Sequence, residues 1–151
     1  MSSEDVSIPS DGDKDQTVQK PLIEQMPEIY ASPAASGLPA GHTVYQRPTG
    51  NGAFDNGDGT SATFDSITDG LSNTIMIVET NVGEAVPWTK PADYQFDPSN
   101  PSRGLGGPEG LYPGGGFQAG LGDGSTHYIN NSAASKALFT KDAGDTVGVA
   151  P

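Results

Sequence analysis

Short apolar stretches separated by turn residues run along this chain, and the pattern predicts strands rather than long helices. Residues 75–79 form the clearest stretch, an apolar run rich in β-branched side chains that predicts the main core strand. Residues 43–46 and 62–64 predict two further short strands. Residues 85–88 predict an edge strand, because Pro87 cannot donate a ladder hydrogen bond.

The strongest turn signal is the Asp123-Gly124 pair, which lies between two stretches with alternating apolar positions. An Asp-Gly pair in this setting predicts a tight β-hairpin. On the first strand of that hairpin, Phe117, Ala119 and Leu121 share one face.

Two short helical segments are predicted outside the strands. Residues 21–26 form the first, which Pro27 ends before an extended segment that begins at Ile29. Residues 132–139 form the second, with Ser132 as its N-cap. The predicted fold class is mainly β (α+β), with an antiparallel sheet, two short helices and long loops.

The composition supports this architecture and divides the chain into two parts. The 21 glycines and 13 prolines among 151 residues favour short strands joined by many turns. Residues 1–19 are interpreted as an acidic N-terminal segment, and residues 20–151 as a single β-rich domain. No apolar run approaches the roughly 20 residues of a membrane span, and the start lacks the order of a signal peptide. We therefore expect no membrane contact from this chain.

The charge balance restricts the partners. Seven Lys and Arg residues stand against 19 Asp and Glu residues, a formal net charge of −12. Such a surface repels nucleic acid and anionic membranes, and it leaves cations, basic proteins or neutral sugars as partners. The absence of cysteine excludes a disulfide framework and a thiolate metal site.

Two groups of acidic residues have the character of calcium ligands. Asp11, Asp13 and Asp15 occupy alternate positions, the spacing that supplies carboxylate oxygens in looped calcium sites. Asp55 and Asp58 lie in a glycine-containing loop that also offers oxygen ligands. Calcium is the cofactor that these residues would take. The alternatives are a solvated acidic tail for the first group and a plain turn for the second.

Aromatic side chains mark the long proline-containing stretch in the second half of the chain. Exposed aromatic rings on such a stretch can stack on sugar rings or on a neighbouring subunit, whereas buried ones would cover the core. The residues predicted to contact a ligand or subunit are Trp88, Tyr94, Phe96 and Tyr112.

No known catalytic motif is present in the sequence. His42 and His127 are the only histidines, and neither a G-x-S-x-G elbow nor an H-E-x-x-H helix nor a phosphate-binding glycine loop occurs. Asp123 is explained by the hairpin turn rather than by catalysis. The sequence therefore predicts a protein that is not an enzyme.

Five strings occur in a fixed order along the chain: KPLIEQMPEIYASP (20–33), ITDGLSNTI (67–75), AVPWTKPAD (85–93), GLGG (104–107) and DGS (123–125). In this order they resemble the family known as domain of unknown function 1559, which has a prepilin-type N-terminus and a C-terminal H-X9-DG-like signature. Two features depart from that family: Tyr112 stands where the family has its His, and the prepilin leader with its apolar helix is absent.

This resemblance implies a pseudopilin-like head domain, exported and displayed outside the cytoplasmic membrane. The expected function is that of a non-enzymatic structural or surface-display subunit, whose partners are like subunits or other cell-surface proteins. The alternative is an extracellular module that binds calcium or polysaccharide.

Overall fold

The computed structural model describes residues 21–50, 52–58, 60, 62–90, 93–106, 109–134 and 136–141. Most of the strands and helical turns in these ranges contain only two to four residues. The strands are β1 (His42–Thr43), β2 (Tyr45–Gln46), β3 (Pro48–Thr49), β4 (Ile75–Glu79), β5 (Val86–Pro87), β6 (Tyr94–Gln95), β7 (Gly116–Leu121) and β8 (Thr126–Asn130). Four 3-10 turns (Glu28–Tyr30, Phe64–Ser66, Leu71–Asn73 and Val82–Glu84) and a helix at Lys136–Phe139 complete the order.

A four-stranded antiparallel sheet is the centre of the fold. Its strand order is β2-β4-β7-β8, so β4 lies inside the sheet, as its apolar sequence predicts. Two smaller ladders accompany it: β1 pairs with β5 in antiparallel fashion, and β3 pairs with β6 in parallel. With helical residues at 21–23 and 136–139, the architecture is mainly β (α+β), which confirms the predicted fold class.

The core covers one face of this sheet. Ile75 and Val78 from β4 and Phe117 from β7 are almost fully buried. The loops and the C-terminal helix close over them with aromatic side chains, and Phe139 stacks on Phe96 at a ring-centroid distance of 4.7 Å. The other members of the cluster are Tyr94, Leu105, Ala119, Leu121, Ile129 and Leu138.

The β7–β8 hairpin forms as predicted. Asp123 accepts hydrogen bonds from the Ser125 amide (2.9 Å) and the Ser125 hydroxyl (2.6 Å). These bonds lower the pKa of Asp123, and Gly124 supplies the positive φ of 84° in the turn. Phe117, Ala119 and Leu121 are all buried, so the face that they share is the core face.

Three local predictions were wrong. Residues 62–64 form no strand: a 3-10 turn begins at Phe64, whose side chain is 69 % exposed and has no core to pack against. Ile29 lies in a 3-10 turn rather than an extended segment. Ser132 does not cap a helix, because its amide and hydroxyl both donate to the Asn130 side chain in a turn. The helix begins at Lys136.

Within the ranges that the structure describes, no helix combines the length and apolar character needed to cross a membrane.

Candidate functional site

A β-bulge in β4 decides which side chains reach the outer face of the sheet, the face opposite the core. Ile75 pairs with Leu121, but the next pair is Ile77 with Gly120, so the register shifts between them. The extra residue breaks the simple alternation of faces. Ile75 and Val78 consequently lie in the core, while Ile77 is 51 % exposed. Glu79, two positions after Ile77, lies on the same outer face.

A groove with a cavity volume of about 440 Å³ lies on this outer face. Strands β2, β4 and β7 supply most of the residues that line the groove, and Pro33 and Tyr112 come from loops. Gly120 leaves space in the groove, since an added Cβ atom there would have only the Ile77 side chain within 4 Å, at 3.8 Å. The residues of this outer groove are Pro33, Tyr45, Ile77, Glu79, Tyr112, Gln118, Ala119, Gly120 and Thr126.

Glu79 is the charged group of the outer groove, and it is only 3 % exposed. Its Oε1 atom accepts a hydrogen bond from the Ser32 hydroxyl, and its Oε2 atom accepts one from the Tyr112 hydroxyl at 2.5 Å. Tyr45 stands directly opposite Glu79 in the β2–β4 ladder. Side chains from three distant parts of the chain therefore meet at one carboxylate.

The two tyrosines are affected by this arrangement. Burial, followed by the hydrogen bond to Glu79, raises the pKa of Tyr112. Burial, followed by the negative charge of Glu79, raises the pKa of Tyr45 as well. Both phenols therefore remain protonated at neutral pH, where they act as hydrogen-bond donors to the carboxylate.

Trp88 holds in place the loop that delivers Ser32 and Pro33 to the outer groove. Its indole N–H donates to the Ile23 carbonyl at 3.1 Å, and its ring stacks on Tyr30 at 5.5 Å. The Thr43 hydroxyl adds a bond of 2.8 Å to the Tyr30 carbonyl. Trp88 therefore anchors the segment that precedes Ser32 and Pro33.

No cation pairs with Glu79 among the residues that the structure describes. The ion pairs found there join Arg47 to Asp55 and Asp93, and Arg103 to Asp97. A carboxylate that is almost completely removed from water costs several kcal/mol unless it is compensated. Hydroxyl donors supply part of that compensation, and no basic side chain in the described ranges supplies a counter-charge.

The four aromatic residues predicted to contact a ligand or subunit separate into different environments. Tyr94 and Phe96 are mostly buried and belong to the core cluster. Trp88 is partly buried against Tyr30. Tyr112 alone among the four lines the outer groove.

Burial of Tyr94 leads to a pH prediction. Its hydroxyl donates to the Arg103 carbonyl at 2.6 Å, and desolvation raises its pKa to about 12. The unfolded chain loses this proton near pH 10, so the stabilisation is complete below that pH and disappears as the pH rises towards 12. We expect Tyr94 to contribute a fall on the order of 2 kcal/mol in the free energy of unfolding over this interval.

Urea unfolding at a series of pH values from 8 to 11.5 measures this loss. In a Tyr94→Phe variant the fall should be shallower, since the contribution of Tyr94 is lost while those of Tyr45 and Tyr112 remain. Equal slopes in the two proteins would contradict the assignment to Tyr94.

The acidic loop that was predicted to bind calcium is held by the protein's own cations. Asp55 pairs with Arg47 at 3.1 Å, and the Lys141 ammonium donates to the Asn56 side chain at 3.1 Å. Hydrogen bonds from Thr60 lower the pKa of Asp58. Within the described part of the chain, no three His, Asp or Glu side chains converge as a metal site would require. Asp11, Asp13 and Asp15 lie outside the described residues.

Three of the groups that matter most at the outer groove, Ser32, Tyr45 and Glu79, were not singled out from the sequence. Glu79 is the last residue of the apolar strand β4. That position is the sequence feature that could have identified it, because a carboxylate at the end of a core strand needs hydrogen-bond partners. Its partners are 33 and 47 residues away, and local patterns carry no information about them.

Together, fold and groove define a class: a small, mainly β domain whose antiparallel sheet carries a ligand-sized groove on its outer face. The model of one family, described as "Protein of unknown function (DUF1559)", matches residues 4–112. The chain therefore belongs to the DUF1559 family, which confirms the resemblance. The matched range includes Ser32, Tyr45, Glu79 and Tyr112 but stops before β7. Comparison with curated proteins and with solved structures found no match.

Proposed function

We propose that this protein is a non-enzymatic subunit that is exported, displayed at the cell surface, and works by protein contact through the outer groove. The observation that carries the proposal is the character of the outer face. Ile77, which lines the groove, is 51 % exposed, and Tyr128, whose ring contacts that of the groove residue Tyr112, is 45 % exposed. Large apolar and aromatic side chains that share an exposed, concave face are typical of contact surfaces.

Membership of the DUF1559 family supports export and display, because the motifs of this chain resemble those of proteins with a prepilin-type N-terminus. The partners would be like subunits or other proteins at the surface. The net charge of −12 favours basic over acidic partners.

The test combines location with contact in intact cells of the producing organism. A photoreactive benzophenone amino acid at position 128 should form cross-links at the cell surface. The same amino acid at position 64 is the control, because Phe64 is equally aromatic and 69 % exposed but lies away from the groove.

We expect cross-links at position 128 and few at position 64, in protein that surface protease can remove. Protein confined to the cytoplasm, or equal cross-linking at both positions, would contradict the proposal. Turnover of a substrate that stops in a folded Glu79→Gln variant would contradict the non-enzymatic part.

A further inference from the structure

The negative charge of Glu79, which only hydroxyl donors compensate among the described residues, indicates what the outer groove binds. Glu79 is 3 % exposed, it lines the cavity, and no basic side chain within the described ranges pairs with it. Bringing a positive charge to such a group recovers free energy that burial has cost, because electrostatic attraction is strong where water is excluded. The complementary ligand therefore carries a cation.

The hydrogen bonds at Glu79 limit the geometry of that cation. A carboxylate can accept about four hydrogen bonds. Ser32 donates to one oxygen and Tyr112 to the other, and Tyr45 also donates to the carboxylate, so about one acceptor position remains. A planar guanidinium fork needs a free position on each oxygen, whereas an ammonium group acts as a compact point charge and needs only one. The geometry thus favours lysine over arginine.

The walls and floor of the groove suit the rest of a lysine side chain. Tyr45 and Tyr112 place aromatic rings beside the carboxylate, and such rings attract an ammonium ion through their faces. Ile77, Gly120 and Pro33 provide apolar surface for the methylene stem. Calcium fits less well, since it requires six to eight oxygen ligands, and the groove has one carboxylate.

We propose that the outer groove binds a lysine side chain presented by a protein partner, with the ammonium group at Glu79 and the methylene stem over Ile77 and Gly120. This inference rests on the proposed function, in which the groove is the contact surface. It adds the chemistry by which a partner is recognised. The acidic surface as a whole would attract such a basic partner before contact.

The experiment uses the purified chain and three peptides with blocked termini, each with one central residue flanked by glycines. The central residue is lysine, Nζ-acetyl-lysine or norleucine, so the stem stays the same while the charge is removed. Binding is followed by NMR chemical-shift titration. We expect the lysine peptide to bind at least about tenfold more tightly than either of the others, with shifts at Tyr45, Gln118 and Gly120.

Three variants locate the site. Glu79→Gln keeps the size of the side chain and should abolish the preference for lysine. Gly120→Val should block the groove without disturbing β7, because valine suits a strand and the added Cβ meets nothing closer than 3.8 Å. Gly83→Ala is the control, since nothing lies within 4 Å of an added Cβ there. Thermal melts show whether each variant folds.

Equal binding of the lysine and norleucine peptides would overturn the inference in favour of a purely apolar contact. Absence of any binding, or a lysine preference that survives in Gly120→Val, would overturn it as well. If Glu79→Gln fails to fold, the peptide series and the Gly120→Val variant still test whether the groove binds lysine. The two proposals can fail separately. If position 128 cross-links in cells but the titration shows no preference for the lysine peptide, the proposed function stands and only this inference is rejected.

Discussion

Replacing Phe139 with alanine is expected to lower the free energy of unfolding by about 3–5 kcal/mol. Phe139 is completely buried and lies between the rings of Phe96, Tyr94 and Phe117, at centroid distances of 4.7, 6.4 and 6.4 Å. The helix that carries it has only four residues, too few to be stable without tertiary contacts. Loss of the ring should therefore leave a cavity and release the helix.

The measurement is a thermal and urea melt of the variant beside Phe64→Ala. Phe64 makes a matched control, because the same atoms are removed from a side chain that is 69 % exposed. We expect a fall in Tm of roughly 10 °C or more for Phe139→Ala and a change within about 0.5 kcal/mol for Phe64→Ala. Similar effects at the two positions would mean that Phe139 does not organise the core.

The sequence predicts those parts of the fold whose causes are local. The β7–β8 hairpin follows from the Asp123-Gly124 turn and the alternation beside it, and β4 follows from a run of apolar residues. Residues 62–64 show the limit of this reasoning. A short apolar stretch reads as a strand, but without a partner strand its aromatic residue lies exposed in a 3-10 turn.

The outer groove could not be predicted in the same way, because it depends on a bulge and on distant contacts. Strict alternation puts Ile75, Ile77 and Glu79 on one face, whereas the register shift sends Ile77 and Glu79 outward. Contacts in the acidic loop depend on distant residues as well. The sequence pattern predicts the oxygen-rich loop but not that Arg47 and Lys141 contact Asp55 and Asn56.

One family motif receives a physical explanation from the structure. Leu105, in the string at 104–107, is fully buried in the core. Gly106 has a φ of +63°, and an added Cβ would lie 2.7 Å from both the Gly116 carbonyl oxygen and the Asn131 Oδ1 atom. Its own carbonyl accepts a hydrogen bond of 3.1 Å from Asn81, two residues after Glu79. The motif thus fixes the loop against β7 and the end of β4.

Gly106→Ala is therefore expected to lower the free energy of unfolding by about 2–4 kcal/mol, the sum of left-handed backbone strain and steric overlap. Gly37→Ala separates the two causes. Gly37 has a similar φ of +75°, but nothing lies within 4 Å of an added Cβ. Strain alone should cost it about 1 kcal/mol, partly offset by the smaller entropy of the unfolded chain. Urea melts of both variants measure the difference in the free energy of unfolding. Equal losses at the two positions would show that the loop moves to accommodate the added methyl group. Close approach would then not be the reason for glycine at position 106.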